Sequence, residues 1–401
     1  MRDRLQPHEA AVEFVYADEH LVALLLRSDS RQPTVVPLVE VKTLVDALQQ
    51  LGTRTSAGMA TKLYNERSVD LYGMLWQPME QELEGIETVY FSTPGILNNL
   101  SFAAFATPDG AYLFDRYNLC QLSTTAKLLR GRNESAPASS LLMGSILYSD
   151  RQERYVQDTE AASRELNYEL ALDDFSDDNR VVAQEHFKYL PFTANEIADL
   201  EKALKPFSKT TVRLGKAATE QEFRELIGKH PQVIHLATHG FFVANIWDAA
   251  KIPFFQRYQQ ALDNSMQRAG VVLADAERSW MGQDEQDEQN DGILTANEVS
   301  KLNLQETQLV VLSACETALG DYSFEGIFGL PRGFMQAGAQ SLLVSLWSVN
   351  DKSTALFMSE FYQAWLGGAS KHDAMKQAVG EVRKRYPQPF YWAPFILLDS
   401  F

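Results

Sequence analysis

The chain has 401 residues, 36 Lys plus Arg against 53 Asp plus Glu, a formal charge of −17, 45% hydrophobic residues and two cysteines, Cys120 and Cys315. That length suits a sizeable core or two to three domains, and the acidic balance argues against a phosphate-binding surface, so no nucleic acid is expected as a direct partner. No run approaches about 18 uninterrupted apolar residues and "MRDRLQPHEA" lacks a signal-peptide core, so no membrane contact and a cytoplasmic location are expected, with two unpaired thiols rather than a disulfide.

In chain order, "RSDSRQPT" (Arg27–Thr34) reads as an exposed turn, and helical periodicity marks Val39–Gln50, Ser56–Glu66 and Val69–Glu84. Apolar β-rich runs follow at Thr88–Ser92, Ala111–Asp115 and Ser139–Tyr148, and Cys120 reads as core packing. A charged insertion occupies about 150–190; its acids Asp173, Asp174, Asp177 and Asp178 do not fit a calcium loop with a central glycine. "TANEIADLEKAL" predicts a helix capped by Thr193. Strand "TTVRL", helix "ATEQEFRELIG", strand Gln232–Gly240 and strand Ala269–Asp275 come next. "SWMGQDEQDEQNDG" reads as a solvated acidic loop, and Thr295 with Glu298 stand in capping-box spacing. Strand Gln308–Ala314, helix Gly326–Ala337, strand Ala339–Val349 and helices Lys352–Trp365 and Ala369–Arg385 complete the alternation. Alternating strands and helices predict an α/β fold with a mostly parallel central sheet covered on both faces. Two units are expected: 1–205, an N-terminal half carrying the insertion, and 206–401.

In an open parallel sheet, chemistry collects beyond the carboxyl ends of the strands. One strand ends "HLATHGFF", delivering His239, and another ends "LSACETALG", delivering Cys315. Adjacent strands about 4.8 Å apart would bring them together, and a thiol needs a nearby imidazole to become a useful nucleophile. Gly240 lets the backbone approach a substrate, and the backbone N–H groups of Gly240 and Cys315 could form an oxyanion hole. His235 and His239 form H-x-x-x-H, but along a strand four residues span about 13 Å, too far for one metal. His235 therefore reads as a structural, hydrogen-bonded histidine, and no metal or cofactor is expected. Asp351 reads both as a helix cap and as an acid recognising a basic substrate side chain. Glu316 is expected to position substrate or cap the turn after the nucleophile. Ser345–Val349 is expected to pair with an extended substrate, which makes Ser345, Trp347 and Val349 candidate contacts, although Trp347 also reads as core.

"VIHLATHGFF", "DGILTANEVSKLNLQETQLVVLSACETALG", "EGIFGLPRGFMQAGAQSLLVSLWSVND" and "PFYWAPFILLD" resemble the CHAT family of cysteine peptidases, relatives of caspases and separases; weaker echoes reach back to near Glu9. One departure is Ala318, where the family usually has Gly. The resemblance implies a caspase-like three-layer αβα fold with a degenerate first half, in which "YFSTPG" offers neither His nor Cys, and an active second half. It puts the catalytic histidine on His239 and the nucleophile on Cys315. The implied activity is a cysteine endopeptidase working through a thioester acyl-enzyme on specific protein substrates. Regulation by a helical-repeat sensor partner and a role in bacterial defence or cell death are implied with it. The alternative is a non-catalytic caspase-like scaffold that binds protein partners.

Overall fold

The computed structural model describes residues 1–399 except 54–55, 130–134, 153–185, 244–245, 257–262, 284–289, 314–328 and 348–350. Cys315, Glu316 and Val349 lie outside the described residues, as do Ala318 and most of the charged insertion.

The first sheet is built from the alternating apolar residues of the N-terminus. β1 (Glu9–Ala17) and β2 (His20–Arg27) form a hairpin, Asp18 taking a left-handed φ of 53° between them, and β3 (Thr34–Glu40) follows. Helical periodicity had placed a helix from Val39; residues to Glu40 are strand, and the helix α1 is Val41–Gln49. β4 (Thr88–Ser92) and β5 (Asn118–Leu122) pair in parallel, giving the order β3-β2-β1-β4-β5. Two further expectations fail here. Residues 111–115 are not a strand, because Leu113–Arg116 forms a short helix whose Asp115 accepts the Tyr112 N–H. The region Val69–Glu84 contains only the short turns of helix Leu71–Leu75 and Gln77–Met79, since Pro78 and the packing of Trp76 interrupt it.

The second sheet runs β14-β13-β12-β8-β6-β7. β6 (Ser139–Ile146), β7 (Lys209–Gly215), β8 (Val233–Leu236), β12 (Leu309–Leu312) and β13 (Leu342–Ser345) are parallel; β14 (Phe395–Leu398) is antiparallel. β8, β12, β13 and β14 are buried along their whole length, as strands covered on both faces must be. The sheets thus divide between Leu122 and Ser139, so β6 and the helix Phe192–Leu204 pack with the second sheet although they precede residue 206.

Right-handed crossovers set the layers. Helix α2 (Phe192–Leu204) links β6 to β7, stepping one way along the sheet, and packs against α6 (Asp351–Leu366) on that face. Helix α3 (Glu220–Ile227) links β7 to β8, and α5 (Leu330–Ala337) links β12 to β13, both stepping the other way and covering the opposite face. Arg224 of α3 joins Glu298 of the short helix α4 (Ala296–Val299), which packs on α5. The result is the expected three-layer αβα arrangement. A Cβ on Gly144 of β6 would stand 2.6 Å from Ile197 Cγ1, so the missing side chain is what lets α2 lie so close to the sheet.

Local details explain several boundaries. Thr193 does not cap its helix: Pro191 holds that position, while the Thr193 hydroxyl accepts the Ser145 N–H at 2.8 Å and donates to Leu190 O at 2.7 Å. The Thr295/Glu298 capping box is present, but the helix it starts is one turn long. Strand Ala269–Asp275 does not join the parallel sheet. Instead β9 (Gly240–Phe242), β10 (Ala269–Val272) and β11 (Ile293–Thr295) form a small antiparallel sheet of order β11-β10-β9. The flanks of the acidic loop are buried, Trp280 among aromatic rings and Asp291 beside the Ile293 N–H.

The two sheets meet edge to edge, β5 against β14. Asp399 fastens them. Its N–H donates to Gln121 O at 3.1 Å, and its buried carboxylate accepts the Ser123 N–H, the Ser123 hydroxyl and Lys127 Nζ. Helix α7 (Lys371–Arg385) adds Arg383 on Asp115 and His372 Nε2 on Asn118 Oδ1. One continuous apolar core runs beneath both sheets.

Candidate active site

β8 carries the chain to the carboxyl edge of the second sheet, where the following residues are held tightly. The Ala237 N–H continues the ladder to Met143 O at 2.8 Å. Thr238 donates to Val272 O and accepts from the Tyr148 hydroxyl at 3.1 Å. The next residue, His239, is 7% exposed, and its carbonyl accepts the Val272 N–H at 2.9 Å. His239 therefore stands where the chain leaves the parallel sheet and enters the small antiparallel one.

Its ring packs against Tyr148, 5.1 Å between centroids, and Phe187 at 6.0 Å. Nε2 lies 2.7 Å from the carbonyl oxygen of Lys188. A carbonyl only accepts, so Nε2 carries the proton and Nδ1 is the basic nitrogen. Burial pushes the imidazole below its usual 6.5 and the Lys188 charge acts in the same direction, against the opposing pull of the carbonyl. The ring is thus neutral at neutral pH, the form a general base needs.

The neighbouring strand is β12, with Val311 opposite His235 and Leu312 opposite Leu236; the Ser313 N–H extends the ladder to Leu236 O at 2.9 Å. His239 comes three residues after Leu236 in the chain, and Cys315 three after Leu312. The cysteine itself, with Glu316, lies outside the described residues.

Gly240 begins β9 opposite Val271. Bonds join residue 272 to 239 and 243 to 268, so the alternation of an antiparallel ladder makes 239/272, 241/270 and 243/268 the bonded pairs. Gly240 falls between them, and its N–H turns away from β10.

The expected substrate contacts fare differently. Ser345 is buried and pairs with Phe395, and the Leu346 N–H donates to Pro394 O, so one edge of this segment is already occupied. The Trp347 side chain, named above as a substrate contact, is core: it is 2% exposed, stacks on Tyr64 and donates Nε1–H to Phe390 O at 2.9 Å. Asp351 opens helix α6, in keeping with a place at that helix's start; its side chain, like Val349, lies outside the described residues.

His235 is fully buried, with Nε2 3.1 Å from the Glu196 carboxylate and Nδ1 3.2 Å from the Tyr362 hydroxyl. That is the structural, hydrogen-bonded histidine expected. Among the described residues no group of His, Cys, Asp or Glu is arranged to hold a metal ion. Cys120 is buried between Tyr90 and Leu122 in a small apolar cluster. No described helix is long and apolar enough to cross a membrane.

Residues 186–190, expected within the insertion, are part of this site. Phe187 and Lys188 touch His239, and Tyr189 OH meets Ser145 Oγ at 2.7 Å. No sequence motif marks them, because the decisive contact uses a backbone carbonyl.

The fold is α/β with a mostly parallel sheet, and a buried histidine stands just past the end of β8. The CHAT domain model matches residues 65–400, and the chain belongs to that family. Tetratricopeptide repeat protein 28 of Mus musculus is 38% identical over 112 residues, 27% of this chain and 4% of the relative; the Homo sapiens protein is 36% identical over 110 residues. The chain therefore spans a small fraction of these relatives. The Saccharomyces cerevisiae separase–securin complex matches 100% of this chain and 30% of the other, with a TM-score of 0.51 and 8% identity, a likeness of fold.

Proposed function

We propose that the chain is a cysteine endopeptidase in which His239 and Cys315 form the working dyad. The observation that carries this reading is the common register: β8 and β12 are neighbours, Leu236 faces Leu312, and both chemistry-bearing residues follow three positions later. Cys315 Sγ attacks the scissile carbonyl carbon as His239 Nδ1 takes the thiol proton. The tetrahedral oxyanion lies between the Gly240 and Cys315 N–H groups. Collapse expels the amine, which receives the proton from His239, and leaves a thioester. Water, deprotonated by the same nitrogen, then attacks the thioester; the thiolate leaves and recovers its proton. Asp351 is the candidate for holding a basic substrate side chain.

The family implies protein substrates. The repeat proteins among its relatives support a helical-repeat partner as regulator; a cytoplasmic setting and a role in bacterial defence or cell death rest on the family resemblance alone. The first sheet serves as the non-catalytic half. Incubating the full chain and its Cys315→Ala and His239→Ala variants with a proteome and sequencing new termini tests this reading. Expected is cleavage by the parent and a loss of at least about a thousandfold in both folded variants. Undiminished cleavage by Cys315→Ala would falsify the mechanism, whereas no cleavage by the parent would leave the scaffold reading.

A further inference from the structure

One of the side chains that hold the segment fixing His239 grips backbone on both sides of the charged insertion. Gln152 stands at the upstream end of the charged insertion and reaches across to its downstream end. Its Oε1 accepts the Tyr148 N–H at 2.8 Å, and its Nε2 donates to Phe187 O at 2.5 Å. Both residues it grips flank the histidine: Tyr148 and Phe187 are the two rings against His239, and they also pack on each other at 5.7 Å. The next carbonyl along, Lys188 O, receives the Nε2 proton. A second tie lies beside it, with His186 Nδ1 2.5 Å from Glu277 Oε1 at the surface.

We infer that Gln152 is a positioning residue for His239, acting through Phe187 and the Lys188 carbonyl to hold Nε2 protonated and present Nδ1 as the base. A glutamine suits the task because only an amide both accepts from one backbone group and donates to another in a single rigid plane. Without the donated bond, the carbonyl of Phe187 loses its partner and the strap 186–188 can shift. A shift of the Lys188 carbonyl leaves the imidazole with no preference between tautomers, and water reaches a ring that burial had kept neutral. The clasp also ties together the chain on either side of the insertion, so a ligand or cut that separates those ends acts on His239 through one hydrogen bond. The inference rests on the dyad reading for its consequence in catalysis, but the geometry it concerns is that of His239 alone. Among the described residues, the groups that face this ring are Tyr148, Phe187 and the carbonyl and charge of Lys188.

The test uses the full chain labelled with ¹⁵N-histidine, with His239 assigned through its Gln variant. Long-range proton–nitrogen spectra report tautomer and protonation across pH. In the parent, His239 is expected as a neutral Nε2–H ring. Gln152→Ala, and the isosteric Gln152→Glu that keeps the Tyr148 contact but cannot donate to Phe187, should mix the tautomers. Both should also raise the His239 pKa, because water reaching the ring outweighs the lost carbonyl bond. His235, four residues earlier, serves as the internal control and should not move. In parallel, the acid limb of Cys315 alkylation by iodoacetamide should shift upward in both variants. An Nδ1–H tautomer in the parent overturns the inference with no variant needed. So does an unchanged His239 spectrum in either folded variant. Inert Cys315 with a responsive His239 would instead fault the peptidase reading and leave the positioning role standing.

Discussion

The first sheet mixes antiparallel and parallel pairs, the second is mostly parallel, and they differ most at the rim beyond their parallel strands. Both have parallel strands whose carboxyl ends point toward loops that could carry chemistry. In the first sheet β4 runs into Thr93, whose hydroxyl donates to Asn98 Oδ1 at 2.7 Å and accepts from Gln121 Nε2 at 3.1 Å; Asn98 in turn donates to Gly95 O. All three side chains are buried and neutral. The partners close on each other and nothing titrates. In the second sheet β8 runs into His239, held by a single carbonyl on Nε2 and depressed by burial. A sheet of this kind supplies a rim for chemistry, while the strand-end residues decide whether the rim is sealed by its own hydrogen bonds or retains a basic nitrogen.

The largest effect should separate the rims directly. His239→Ala is expected to remove about three orders of magnitude of cleavage, whereas Thr93→Val should lower stability by about 1–3 kcal/mol and leave cleavage by the folded protein within a fewfold. A Thr93 variant that folds normally and loses all cleavage would erase the contrast. The seam comes next. Removing the Asp399 carboxylate strands Lys127 and the Ser123 N–H, so Asp399→Ala should cost about 2–4 kcal/mol in urea unfolding. Unfolding in two separate steps would sharpen the comparison by showing that the first sheet stands alone.

Gly144→Ala should cost about 1–3 kcal/mol, since Ile197 must give way under α2. The smallest expected effect is pH-dependent. Burial lowers His372 to about 4, so its neutral form favours the folded state. The contribution is fully present above pH 6.5 and is lost as pH falls toward 4. Stability should fall over that interval, and His372→Gln should flatten the slope in urea titrations at stepped pH.

Much of this was legible in the residues. Continuous apolar runs ending in His239 and before Cys315 mark buried parallel strands, and both the αβα class and the Thr295–Glu298 cap follow from local chemistry. The N-terminal meander has no counterpart among the expected elements, although "EAAVEFVYA" and "HLVALLLR" carry a strand's alternation. Residues 111–115 look like a strand because they are apolar; Asp115 turns them instead, accepting the Tyr112 N–H and the Arg383 guanidinium. The strap against His239 has no such signature. Gln152, Phe187 and Lys188 act through backbone atoms brought together across 35 or more positions, and spacing along a sequence cannot express that.

Asp399 has one more consequence. It bonds to Ser123 across 276 positions, so during synthesis the early sheet waits for that much more polypeptide before the free side of its outer strand gains a neighbour. Until then β5 presents an unprotected flank on the ribosome, and the seam closes only after the strand that bears the histidine has already emerged.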